Sequence, residues 1–108
     1  MITYNKLIRD GVLKKIKDSW GTATSHIASD EEFEIKVKEK LVEEAQELIQ
    51  AKTKEDIMNE LGDICKISQE IMKLYAITEE ELTEAMSKKD EKVGGFDQRI
   101  ILEEASEF

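Results

Sequence analysis

The sequence predicts an all-α protein, a small helical bundle with two long antiparallel helices, completed by oligomerisation. Three observations lead there. The 108 residues contain no proline and only five glycines, which favours long uninterrupted elements over a turn-rich sheet. Apolar residues recur at three- and four-residue spacing along two stretches of about twenty residues each. A Ser or Thr followed three positions later by an acid stands at the head of both stretches and of a third, shorter one. Aromatic residues are few, so Ile, Leu, Val, Met and Ala must build the core, which suits helix packing. One domain, residues 1–108, is expected, near the size at which a partner subunit often completes the burial.

The elements follow in order. Tyr4 to Asp10 is an entry segment, and Val12, Leu13 and Ile16 mark a short helix that should stop near Gly21. Gly21 to Ser29 reads as a loop, because its small polar side chains compete for backbone hydrogen bonds. Ser29 and Glu32 are spaced as a capping box for a helix running to about residue 51, with Phe33, Val37, Leu41, Ala45 and Leu48 on its apolar stripe. Thr53 and Asp56 start the next, with Ile57, Leu61, Ile64, Ile67, Ser68, Ile71 and Tyr75 on its stripe. The short joint makes these two antiparallel neighbours. Thr78 and Glu81 open a third capped helix through Leu82, Ala85 and Met86, ending before Gly94-Gly95. Trp20 and Phe33 are expected as core anchors. Residues 96–108 form an acidic tail around Ile100-Ile-Leu102, with no secondary structure assigned.

Sixteen Lys and Arg against twenty-five Asp and Glu give a formal charge of −9, which repels nucleic-acid backbones and anionic lipid, so neither is an expected partner. Cys65, the single cysteine, reads as a small buried hydrophobe. The first fifteen residues hold no continuous apolar segment of signal or spanning length, so the expected compartment is the cytoplasm.

The chemistry is concentrated in Glu43-Glu44-Ala-Gln-Glu47 on one long helix and Glu60-Leu-Gly-Asp63 on the next. Residues three apart share a helical face, so Glu44 pairs with Glu47 and Glu60 with Asp63, on either side of the same turn. Four carboxylates that converge in this way need cations, and hard ions such as Mg²⁺ or Mn²⁺ favour oxygen donors. At about 100° per residue, Glu44 lies roughly 60° from Leu41 and Glu60 roughly 40° from Ile64, so both interrupt apolar stripes. Gly62, inside the helix, would permit close approach of a backbone or an ion. In so acidic a chain such pairs also arise by chance, and spacing alone leaves metal centre and solvated surface equally open.

Other candidates read more simply. Glu31, Glu32, Glu34, Glu79, Glu80, Glu81 and Glu84 are helix-start and solubilising acids, and Ser29, Thr53 and Thr78 are caps rather than nucleophiles. His26 lacks companions for a zinc site and reads as an exposed loop residue. Lys14, Lys15 and Lys17 form an exposed face. Lys89 to Phe96 surrounds two glycines whose backbone N–H groups could approach an anion, although a helix-ending turn explains them equally well. It is not a Walker loop.

Glu44-Ala-Gln-Glu47 and Glu60-Leu-Gly-Asp63, separated by twelve residues and led by Lys40-Leu-Val-Glu-Glu44, resemble the acidic signature of the all-α nucleoside triphosphate pyrophosphohydrolases of the MazG-like group, related to phosphoribosyl-ATP pyrophosphohydrolase. Tyr4-Asn-Lys-Leu-Ile-Arg-Asp10 and Lys88 to Phe96, followed by Arg99-Ile100, resemble the opening and close of a short single-domain branch, extending the likeness over residues 4 to about 102. Gly11-Val12 stands where that branch usually has Lys-Ile-Pro, and Val93 where a basic residue is common. Neither touches the four acids.

The resemblance implies Mg²⁺-dependent (Mn²⁺ as substitute) attack of water on the α phosphorus of a nucleotide substrate, releasing monophosphate and pyrophosphate. Glu44, Glu47, Glu60 and Asp63 would hold the metal; Glu44 or Glu47 is the candidate catalytic proton acceptor, and a hydroxide generated by the metal alone would need no separate base. Lys6, Arg9, Lys88, Lys89, Lys92 and Arg99 are the substrate-binding candidates for the distal phosphates. A free (deoxy)nucleoside triphosphate is the expected substrate, on the strength of the outer segments. Two alternatives stand beside it: phosphoribosyl-ATP pyrophosphohydrolase, and a non-enzymatic helical interaction protein. A homodimer or higher homo-oligomer is expected.

Overall fold

The computed structural model describes residues 1–107, all of whose regular structure is α-helical: α1, Val12–Asp18; α2, Asp30–Gln50; α3, Lys54–Leu74; and α4, Glu79–Val93. Phe108, at the end of the acidic tail, lies outside the described residues. The chain divides into two compact units, Met1–Ala76 and Ile77–Phe108, each described by itself. No helix among the described residues is long and apolar enough to cross a membrane.

α1 ends in a Schellman-type turn. Gly21 N–H donates to the Ile16 carbonyl at 2.9 Å and Trp20 N–H to that of Lys17 at 3.1 Å. Trp20 takes the left-handed position at φ 61°, and a Cβ on Gly21 would meet Ile16 Cγ2 at 2.8 Å, so glycine is required there. The expectation that Trp20 anchors the core is overturned: the turn throws its indole outward, 97% exposed. Phe33 is half-buried.

α2 and α3 pack as an antiparallel hairpin across a three-residue joint, residues 51–53. Both caps form as the spacing predicts. Ser29 Oγ accepts from Glu32 N–H and Thr53 Oγ1 from Asp56 N–H. The return half of the Ser29 box does not form, because the Glu32 carboxylate hydrogen-bonds His26 Nε2 at 2.8 Å.

The stripes are rotated slightly from the expected faces. Val37 and Ile67 are buried, with Phe33, Leu41, Leu48, Ile57, Ile64 and Ile71 half-buried around them. Ala45, Leu61 and Tyr75 turn out to be exposed, while Glu44 sinks into the seam and Glu60 is half-buried. Cys65 is exposed, not buried, since it shares the outward face of α3 with Met58 and Leu61.

In the second unit, Thr78 and Glu81 form a complete capping box at the head of α4. Gly94 closes the helix at φ 75°, a conformation open to glycine. Residues 94–107 contain no helix or strand.

Candidate metal centre

The acids converge in the seam of the hairpin, about one to three turns from its joint. Oxygen atoms of Glu44, Glu60 and Asp63 lie within 4.8 Å of one another, as do those of Glu43, Glu44 and Glu47. The four predicted acids therefore belong to two overlapping triads that share Glu44, with Glu43 as an additional member. Glu47 is exposed and Asp63 half-buried.

Glu44 is 5% exposed. Its Oε2, like that of Glu60, is buried without a hydrogen-bond partner. Such oxygens are costly unless a proton or cation meets them. Burial, followed by the neighbouring carboxyls of Glu60 and Glu47 and the charge of Asp63, pushes the Glu44 carboxyl up to about 7. Lys40 Nζ lies 3.6 Å from the Glu44 carboxylate. A buried set of unsatisfied carboxylate oxygens fits a hard divalent cation, and these residues could coordinate one.

Two predicted cations reach the cluster. Lys6 Nζ donates to Glu43 Oε1 at 2.9 Å, and Arg9 Nη2 to Asp63 Oδ1 at 2.7 Å. Lys36 Nζ holds the same segment through the Asn5 carbonyl at 2.8 Å, where Asn5 takes φ 47°. Burial would raise the Glu43 carboxyl, but the hydrogen bond from Lys6 and the charge of Lys40 outweigh it and hold it below its ordinary value. The hydrogen bond to Glu43 likewise raises Lys6.

Sequence reasoning passed over Glu43 and Lys40 as site residues. Lys40 sits three and four positions before the two acids it approaches, so helical spacing carried the signal. Gly62 is exposed, and a Cβ there would meet nothing within 4 Å, so the close approach expected of it is not made within the chain.

Lys88, Lys89 and Lys92 lie on α4 and Arg99 in the following segment, all exposed in the second unit. Lys88 pairs with Glu84 at 3.3 Å. Beside the acids, an open groove of about 500 Å³ runs to the hairpin joint, lined by Glu43, Glu47, Glu60 and Asp56 and by the amide side chains of Gln46, Gln50 and Asn59.

An antiparallel helical hairpin with clustered carboxylates in its seam, two of their oxygens buried and unpartnered, defines an α-helical protein with a candidate divalent-metal centre. A family model described as phosphoribosyl-ATP pyrophosphohydrolase matches residues 2–78, and the chain belongs to that family, part of the MazG-like group. The match spans the acids, Lys6 and Arg9, whereas Lys88, Lys89, Lys92 and Arg99 lie beyond it. No curated protein and no solved structure matches the chain significantly. Membership supports a hydrolytic enzyme of pyrophosphohydrolase type acting in nucleotide chemistry.

Proposed function

We propose that this chain hydrolyses the α–β phosphoanhydride of a nucleoside-triphosphate-type substrate and releases pyrophosphate, using Mg²⁺, or Mn²⁺ in its place, held by Glu44, Glu47, Glu60 and Asp63. The observation that carries the reading is the buried Oε2 of Glu44, unpartnered beside an equally unpartnered Oε2 of Glu60. When bound, a divalent ion supplies charge for the phosphoryl oxygens and lowers the pKa of water in its shell. Glu47 is the favoured proton acceptor, because it is exposed on the groove whereas Glu44 is enclosed. Lys6 and Arg9 stand ready for the phosphates, and Gln46, Gln50 and Asn59 offer donors and acceptors to a base or ribose in the groove. Lys88, Lys89, Lys92 and Arg99 are kept as further phosphate contacts on the strength of their sequence pattern.

The family match puts phosphoribosyl-ATP ahead of free (deoxy)nucleoside triphosphates as the substrate to try first. The free triphosphates remain the second reading, favoured by the Tyr4 to Asp10 and Lys88 to Phe96 segments. The deciding experiment measures pyrophosphate and monophosphate release from both, with and without Mg²⁺ or Mn²⁺, beside Glu60→Gln. Metal-dependent release that the variant loses is expected. Silence on every substrate would overturn the reading in favour of a helical interaction protein.

A homodimer or higher homo-oligomer is part of this proposal. Ile35, Val42 and Ile49 recur at seven-residue spacing on an exposed face of α2, and Met58, Leu61 and Cys65, spaced by three and four, share an exposed face of α3. A second copy would bury both and complete a four-helix core. A monomer by light scattering across micromolar concentrations would refute this. The cytoplasm is the proposed compartment.

A further inference from the structure

The two cations of the entry segment are held differently. Glu43 is clasped from both sides, by Lys6 at 2.9 Å and by Lys40, itself only 16% exposed, at 3.3 Å. That contact, with the Lys36 bond to the Asn5 carbonyl, tethers the segment without engaging Glu60 or Asp63. Among the described residues Asp63 has one cationic partner, Arg9, and shares a triad with Glu44 and Glu60, each of which has an unpartnered oxygen. Arg9 is exposed and Asp63 only half-buried, so the pair is open to solvent on its guanidinium side and opens at modest cost. A divalent ion and a guanidinium compete for the same carboxylate charge.

We propose that Arg9 is a charge-exchange residue: it neutralises Asp63 until a divalent ion takes that carboxylate, and the freed guanidinium then holds the phosphate groups of the substrate. This rests on the metal-binding reading above. Lys36, bonded to the Asn5 carbonyl, keeps the segment in place whatever Lys6 holds, so the guanidinium is released within reach of the ion rather than into solvent. The chemistry is consistent at each stage. A guanidinium already satisfied by a carboxylate is a poor anion receptor, and a planar fork freed beside bound metal is a good one. The site would thus recognise anionic phosphate only once metal is present, which in so acidic a chain prevents unproductive occupancy by metal-free nucleotide.

The test is a pair of calorimetric titrations, Mn²⁺ alone into metal-free protein and manganese pyrophosphate into Mn²⁺-saturated protein, for wild type, Arg9→Gln and Arg9→Lys. In Arg9→Gln, Mn²⁺ should bind about two- to fivefold more tightly, because its competitor is gone. Pyrophosphate should bind roughly tenfold or more weakly, because its receptor is gone. Arg9→Lys should keep near-wild-type Mn²⁺ affinity and lose part of the pyrophosphate affinity. In unaltered protein the Arg9 side-chain ¹⁵N resonance should move along the Mg²⁺ binding curve. Weakening of both ligands by Arg9→Gln would make Arg9 merely structural and overturn the proposal. Unchanged Mn²⁺ affinity with a static Arg9 resonance would overturn it while leaving the metal reading intact. Absence of Mn²⁺ binding to wild type would remove the metal reading, and this inference with it.

Discussion

The two ends of the α2–α3 hairpin are built from the same materials and solve opposite problems. Far from the joint, Tyr75 donates to Glu34 at 2.5 Å and Lys38 donates to the Tyr75 hydroxyl at 2.6 Å, with its ammonium 5.0 Å from the ring centroid. One acid, one base and one phenol close on themselves in partly exposed surroundings. Nearer the joint, five carboxylates meet three cations, and two buried oxygens are left without a partner. The first end is a clasp, complete without a ligand. The second is an imbalance of charge that costs folding free energy, since two buried carboxylate oxygens lack the partners that would offset their desolvation. What separates the two clusters is whether their atoms are satisfied, not how many acids each contains, and it is the unsatisfied one that the proposed function assigns to metal.

The largest effect should come from the end nearer the joint. Glu60→Gln removes a charge from the triad while keeping its shape, and pyrophosphate release should fall by roughly a thousandfold or more in kcat/KM, as followed in a coupled pyrophosphate assay. Retained activity would return the acidic end to the status of a second clasp.

A smaller effect concerns stability and pH. Folded metal-free protein keeps a proton on Glu44 up to about pH 7, whereas an unfolded chain gives it up near 4.5. Between those values the folded state binds more protons, so this group makes stability fall as pH rises through the window, by up to about 3 kcal/mol. Thermal unfolding in a chelator should therefore show a lower Tm at pH 8 than at pH 5.5, and Glu44→Gln should flatten that difference. Saturating Mg²⁺ at pH 8 should recover about 2–3 kcal/mol in the wild type and little in the variant.

The smallest effect belongs to the clasp. Tyr75→Phe deletes the hydroxyl that joins Glu34 and Lys38, at a cost of about 1 kcal/mol or less because the groups are partly exposed. Mn²⁺ affinity, read by calorimetry, should not move. A shift in metal affinity would mean that the two ends communicate along the hairpin and that the contrast between them is too sharp.

Much of this could be read in advance. The caps at Ser29, Thr53 and Thr78 are local devices, since a side chain three residues from a backbone N–H needs no tertiary partner to find it. The inward turn of Glu44 and Glu60 followed from helical periodicity, which any regular helix obeys. Trp20 and Cys65 were misjudged because hydrophobic type says nothing about which apolar face finds a partner within one chain. The half-formed Ser29 box was lost to His26, a competitor from outside the helix.

The sequence by itself determined the helices, their ends and the ordered acidic pairs, because hydrogen bonds and side-chain spacing within a helix act over a few residues. Only the tertiary structure decided that Lys6 clasps Glu43, that Arg9 rests on Asp63, and that one oxygen each of Glu44 and Glu60 is sealed without a partner. Those contacts join residues 37 and 54 positions apart in the first two cases. Which of several neighbouring acids a flexible cation meets depends on how the entry segment lies across the packed hairpin, and no local rule of the chain contains that information.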